Sequence, residues 1–311
     1  MQRPLRRLTS LLAATTTLWL AGTGHAQIRL EEDARAHVEW PDRGPEGLRA
    51  RDFLAGDLDG DGADDLVVIG HSDVDVMINA GNGTLAHRAT VFVAQGRLAT
   101  GTLFDADGDG DLDLLALAGD PLGYSSGGIP GVAFNDGAGN LARNFAKTVP
   151  NMQLQGLLVL AEDLDGDGDL DLTMIQNRGF QTVPDTIVVW ENDGSGSFVD
   201  ATAARAPSVG TCEAALAGDL DGDGHQDLLL SIGAPTGPML LMYDGTAYVD
   251  RSSLLPGYPL ALGDVDGDGD TDLVMSTGFE LNDGTGANWT NVPHGALLAG
   301  NEVGFVGDLD L

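Results

Sequence analysis

A nine-residue string, Asp-x-Asp-Gly-Asp-Gly-x-x-Asp followed by Leu, occurs five times, starting at Asp57, Asp105, Asp163, Asp219 and Asp264. A sixth copy opens at Asp308 and runs into Leu311, where the pattern demands Gly. Successive starts lie 44 to 58 residues apart. Self-similarity at that period belongs to arrays of stacked supersecondary units, in which each unit buries its apolar face only against a neighbour. The spacing matches a four-stranded propeller blade and is too long for a solenoid built from nonapeptide turns.

Each copy places carboxylates at positions 1, 3, 5 and 9 of a short loop, with glycines at positions 4 and 6 that let the backbone turn and bring the carboxylates together. Hard oxygen donors in such a loop select calcium over zinc or copper, which favour His and Cys. The predicted ligands are Asp57, Asp59, Asp61 and Asp65 in the first loop and Asp105, Asp107, Asp109 and Asp113 in the second. Asp163, Asp165, Asp167 and Asp171 take these roles in the third, Asp219, Asp221, Asp223 and Asp227 in the fourth, and Asp264, Asp266, Asp268 and Asp272 in the fifth. Position 7 is Ala63, Asp111, Asp169, His225 or Asp270, and that variety suits a ligand offered by the backbone carbonyl. Five calcium ions are therefore expected. An EF-hand or dockerin would need an acid at position 12 between helices, but Val68, Ala116, Met174, Leu230 and Met275 stand there.

Short apolar runs flank every loop, such as Phe53 to Gly56 before the first and Leu66 to Ile69 after it. Bounded by turn residues, they read as two buried strands. A third run, clearest at Ile187 to Trp190, ends in a second recurring turn: Asn135-Asp136-Gly137, Asn192-Asp193-Gly194 and Asn282-Asp283-Gly284, with variants at Asn79-Ala80-Gly81 and Tyr243-Asp244-Gly245. Turns of this chemistry close hairpins by accepting positive φ. A fourth strand follows, as at Ser197 to Asp200. The expected fold is all-β, a β-propeller of four-stranded antiparallel blades with five complete units and the start of a sixth over residues 50–311. A linear solenoid is the competing architecture.

The chain has 48 Asp plus Glu against 15 Lys plus Arg, for a net charge of −33. So acidic a surface argues against nucleic acid and against anionic membranes, both of which are bound through Lys and Arg. Cys212 is the single cysteine, which rules out an internal disulfide and a Cys-based zinc site and reads as a small buried hydrophobe. Arg3, Arg6 and Arg7 precede an apolar stretch from Leu8 to Ala21, and Gly24-His25-Ala26 supplies small residues at a cleavage point. Residues 1–26 therefore read as a secretory signal peptide, leaving no transmembrane segment, and residues 27–49 as an N-terminal segment with a possible closing strand. The mature protein is expected outside the cytoplasm, at the cell surface or in the periplasm, where calcium is plentiful.

Two strings, Gly56-Asp57-Leu58-Asp59-Gly60-Asp61-Gly62 and Gly218-Asp219-Leu220-Asp221-Gly222-Asp223-Gly224, each ending in Asp-Leu, together with Asn-Asp-Gly-x-Gly-x-Phe at Asn192 to Phe198, resemble the FG-GAP (VCBS) repeats. That family includes the integrin α-subunit propellers and secreted bacterial relatives. The resemblance implies a seven-bladed ring with calcium between the first two strands of its blades. Five units and one opening strand fall short of that ring, which leads to the expectation of a truncated reading of a longer gene.

The second and third units carry the longest stretches between the ninth loop position and the second turn, containing Asp120 to Ile129 and Gln176 to Asp185. Long loops on a rigid scaffold are where partners bind. The string Gly123-Tyr124-Ser125-Ser126-Gly127 matches a nucleophile elbow in letters only, because Pro121 and Pro130 flank it in place of a strand and a helix. No catalytic constellation emerges, so a non-enzymatic role is expected. Two function classes stand: a recognition or adhesion module for an extracellular protein or glycan, with structural calcium, and a carbohydrate-active propeller such as a polysaccharide lyase.

Overall fold

The computed structural model describes residues 50–293 except 83, 94–96, 119–128, 145, 148, 151–155, 177–185 and 233–236. Its strands form five consecutive antiparallel sheets. The first blade is β1 (Asp52–Gly56), β2 (Asp65–Ile69), β3 (Val74–Asn79) and β4 (Leu85–Val91). The second holds β5 (Leu98–Phe104), β6 (Asp113–Ala118) and β7 (Gly131–Ala133), and a single Phe134–Ala142 bridge stands where a fourth strand would pair. The third is β8 (Gly156–Glu162), β9 (Asp171–Gln176), β10 (Ile187–Asn192) and β11 (Phe198–Asp200), followed by one helical turn, α1 (Thr202–Arg205). The fourth is β12 (Cys212–Gly218), β13 (Asp227–Ile232), β14 (Gly237–Tyr243) and β15 (Tyr248–Asp250), with a 3-10 turn at Ser252–Leu254. The fifth is β16 (Pro259–Gly263), β17 (Asp272–Met275), β18 (Gly278–Asn282) and β19 (Trp289–Pro293).

The second strand of each blade is an unbroken apolar run because both of its faces are buried. In β6, Leu114 and Ala116 pack with the first blade while Leu115 and Leu117 pack with the third. In β13, Leu228 and Leu230 face the third blade while Leu229 faces the fifth. A strand alternates its side chains, so the hydrophobic core is a series of slabs lying between blades. First strands pack in succession, β1 on β5, β5 on β8, β8 on β12 and β12 on β16, so the sheets converge on those strands. This is a propeller-like arrangement, and the strand positions expected from the sequence are found.

Cys212 is fully buried, and burial pushes its thiol up to about 11. The signal segment, the possible closing strand in 27–49, the unit opening at Asp308, and nearly all of the two long loops at 120–129 and 176–185 lie outside the described residues.

Candidate metal centres

All five loops have the same internal wiring. The Asp at position 1 accepts the amide N–H groups of the two loop glycines, one on each oxygen, at 2.7–3.1 Å. Those ten glycines have φ between +73° and +98°, a region that side-chain-bearing residues avoid. The Asp at position 5 caps the amide of position 7 at 2.9–3.0 Å.

The ninth position is the hub. One oxygen of Asp65, Asp113, Asp171, Asp227 and Asp272 accepts the amide of loop position 2 at 2.7–3.0 Å. The other accepts the amide of the residue that opens the blade's second turn, Asn79, Asn135, Asn192, Tyr243 or Asn282, also at 2.7–3.0 Å. One carboxylate therefore ties both hairpins of a blade. All five are at most 1% exposed. Burial pushes Asp113 and Asp227 up to about 7 and Asp171 up to about 6, against the opposing pull of their backbone donors. Asp65 and Asp272 shift in the same direction for the same reason.

Carboxylate oxygens of positions 1, 3 and 9 come within 4.8 Å of one another in the last four loops: Asp105, Asp107 and Asp113; Asp163, Asp165 and Asp171; Asp219, Asp221 and Asp227; Asp264, Asp266 and Asp272. In the first loop the converging set is Asp57, Asp59 and Asp61. The expected ligand sets join positions 5 and 9 in every loop; among the described residues the first loop brings position 5 into its cluster and the other four bring position 9. The side chains at position 7 stand apart. Asp111, Asp169 and Asp270 lie against Gly137, Gly194 and Gly284 of the second turn, where a Cβ would come within 2.2–2.8 Å of their carboxylates. The ring of His225 packs 5.0 Å from that of Tyr243.

These clusters fit a hard divalent cation. Oδ1 of Asp59, Asp107 and Asp221 is buried and accepts no hydrogen bond, and a buried, unsatisfied charged acceptor is costly unless a positive charge meets it. The donor set is entirely oxygen, as a calcium or magnesium site requires.

The model of the FG-GAP-like repeat matches residues 57–116 and 163–230. Those two regions are similar to FG-GAP-like repeats. Among solved structures, an Agrocybe aegerita lectin described as recognising non-reducing terminal N-acetylglucosamine matches 79% of this chain and 66% of its own, at 19% identity and a TM-score of 0.52. The V. cholerae biofilm matrix protein Bap1 aligns at 17% identity and a TM-score of 0.39 over 79% and 38% of the two chains. The Photorhabdus luminescens Tc holotoxin pore aligns at 18% and 0.35 over 79% and 12%. The chain spans less than two thirds of the length of each, and the lectin likeness supports the fold alone. No curated protein matches.

A feature that the repeat pattern alone did not disclose is how one repeat grips the next. Asn135 Nδ2 donates to the Leu58 carbonyl at 2.8 Å, Asn192 Nδ2 to Ala106 at 2.9 Å, and Asn282 Nδ2 to Leu220 at 2.7 Å. Each acceptor is position 2 of the preceding blade's loop. In the fourth blade Tyr243 replaces Asn, and its hydroxyl reaches the equivalent Leu164 carbonyl. Basic side chains reinforce these junctions. Arg88 Nε donates to Asn140 Oδ1 at 3.1 Å, Lys147 Nζ to the Ser195 carbonyl, and Arg205 to the Thr246 carbonyl at 2.9 Å. Arg205 also pairs with Glu191 at 2.6 Å and lies 3.9 Å from Asp165 of the third loop. Glu162 likewise crosses a junction: it accepts the Gln226 amide at 3.0 Å, and burial pushes it up to about 7. The recurring Asn of the second turn was the sequence signal for the grip. Nothing in the repeat marked Arg205 or Glu162.

Proposed function

We propose that this protein is a secreted recognition module whose loops bind calcium, and that the ions stiffen the blades while a glycan or protein docks on the propeller. The observation that carries the reading is the set of buried, unpartnered position-3 oxygens on Asp59, Asp107 and Asp221, each in a loop whose ninth Asp fastens two hairpins and whose second carbonyl holds the next blade. An ion there neutralises crowded carboxylates at the point where a blade is joined to its neighbour. The N-terminal Arg-flanked apolar segment supports export, and no helix among the described residues is long and apolar enough to cross a membrane. A sugar is the partner class we favour, since the lectin that shares this fold is described as recognising a terminal sugar. The role is non-enzymatic, with the carboxylates committed to metal binding and to the backbone.

The test has two arms. Calorimetric titration of chelator-stripped protein with calcium is expected to show uptake at about five sites, and the absence of uptake overturns the calcium reading. A glycan array run in calcium and in EDTA is expected to give hits only with calcium; a blank array in calcium argues against the sugar.

A further inference from the structure

The five loops differ in what holds the peptide group that each would offer to an ion. The carbonyl of position 7, the expected backbone ligand, shares one planar peptide with the amide N–H of position 8. Position 8 is Asp64, Leu112, Leu170, Gln226 or Thr271. In the second to fifth blades this position meets the residue just before the preceding blade's own loop. A Cβ on Gly56 would come within 2.6 Å of Leu112 Cδ1 and one on Gly218 within 3.4 Å of Thr271 Cγ2, and Phe104 and Leu170 pack in one apolar cluster. The third blade puts Glu162 in that slot. Both of its carboxylate oxygens accept the Gln226 amide, at 3.0 and 3.3 Å. Among the described residues no side chain accepts the corresponding amide of Asp64, Leu112, Leu170 or Thr271.

We propose that Glu162 is a positioning residue for a calcium ion in the fourth loop, supplied by the third blade and acting through the His225–Gln226 peptide. The inference rests on the calcium reading. Asp223 caps the His225 amide at 2.9 Å and Glu162 holds the next amide, so two carboxylates fix consecutive N–H groups and with them the orientation of the His225 carbonyl. A charged acceptor on the N–H also polarises the peptide and enriches the carbonyl oxygen in electron density, as partners behind metal ligands commonly do. The Glu162 carboxylate lies within electrostatic reach of Asp219, Asp223 and Asp227. Its charge favours a cation among them and is costly without one. Loading the fourth loop thereby fastens it to the third blade.

Calcium titration of the full chain against a competing chelator, followed by amide NMR, tests this. The position-6 glycines Gly62, Gly110, Gly168, Gly224 and Gly269 report the five loops separately. Glu162→Gln keeps an acceptor oxygen and removes the charge. It is expected to weaken the fourth site, read at Gly224, about tenfold or more, the loss usual when a group that orients a metal ligand is altered. The first, second and fifth sites should keep wild-type affinity. Glu162→Ala, which also removes the acceptor, is expected to weaken the fourth site at least as much. In calcium the Gln variant should melt below the wild type and in EDTA no lower, whereas a merely structural clamp would lower both. If none of the five glycines responds to calcium, the calcium reading falls and this inference with it. Uptake at all five loops with Gly224 indifferent to Glu162→Gln overturns this inference alone, and so does a melting temperature lowered equally in EDTA and in calcium.

Discussion

The junction between the third and fourth blades is closed and the junction between the fourth and fifth is open, although the same parts build both. Each has a buried ninth Asp, a second turn opening on a residue that reaches back to the preceding loop, and a base after the fourth strand. At the closed junction Tyr243 packs edge-on to Tyr248, with ring centroids 5.1 Å apart, and donates to the Leu164 carbonyl. Arg205 then joins Glu191, the Tyr243 hydroxyl and the Thr246 carbonyl. At the open junction, among the described residues, Asn282 makes the backward bond alone and the Arg251 guanidinium has no partner. The difference originates in a few residues of chain. Arg205 ends a helical turn and is carried into the gap, whereas Arg251 precedes a 3-10 turn and stays at its mouth. The repeat thus specifies the clasp, and the irregular segment after each blade decides whether the junction is sealed.

Removing calcium should give the largest effect and should strike the two junctions unequally. A native-state site at free calcium about 100 times its dissociation constant contributes ~2.7 kcal/mol, so a few sites rival a domain's whole margin of about 5–15 kcal/mol. EDTA is expected to lower the melting temperature sharply. In hydrogen exchange after mild chelation, the Asn282 amide should lose protection before the Tyr243 amide, because Arg205 still holds the closed junction. A melting temperature indifferent to EDTA would break the comparison at its root.

Paired alanine variants probe the same contrast without touching a loop. Arg205→Ala removes charge-assisted bonds from a side chain only 14% exposed and should cost about 2–3 kcal/mol in urea unfolding. Arg251→Ala should stay within about 0.5 kcal/mol, as for a surface residue with no partner. Equal costs would mean that the closed junction owes nothing to Arg205.

Most of this framework was legible in the sequence, because identical glycine and Asp placement in five loops leaves few backbone solutions. Strand order, both hairpins and the burial of Cys212 followed from local pattern. The division of labour within a loop did not. The position-5 acids cap the position-7 amide in every loop, Asp61 included, yet Asp61 alone joins the converging set while Asp109, Asp167, Asp223 and Asp268 stand outside theirs, a difference that the identical spacing does not carry. Arg205 stands five residues beyond the last strand of its blade and Arg251 directly after its own, and nothing in that spacing says which of them seals a junction. Their roles diverge through contacts with residues 41 positions downstream in one case and with a cavity of about 320 Å³ between the fourth and fifth blades in the other, and no local periodicity carries either.

The smallest expected effect is also the one that separates the two loops flanking the closed junction. Asp171 is held up to about 6 and Asp227 up to about 7, both above the ordinary carboxylate value near ~4. A carboxyl that is easier to protonate in the folded state than in the unfolded chain adds stability in acid, and that contribution fades as pH rises through the folded value. In EDTA the melting temperature should therefore decline from about pH 4, the unfolded carboxylate value, up through about pH 7, with Asp171 ionising before Asp227 when the two are followed by carboxyl NMR. Bound calcium requires the ionised form, so in calcium the trend should flatten or reverse, acid now weakening the protein by competing with the ion. A melting temperature that climbs with pH in EDTA would show that these carboxyls are charged in the metal-free fold. Burial alone would then not govern them, and the argument that an ion supplies their missing charge would lose its electrostatic basis at both loops.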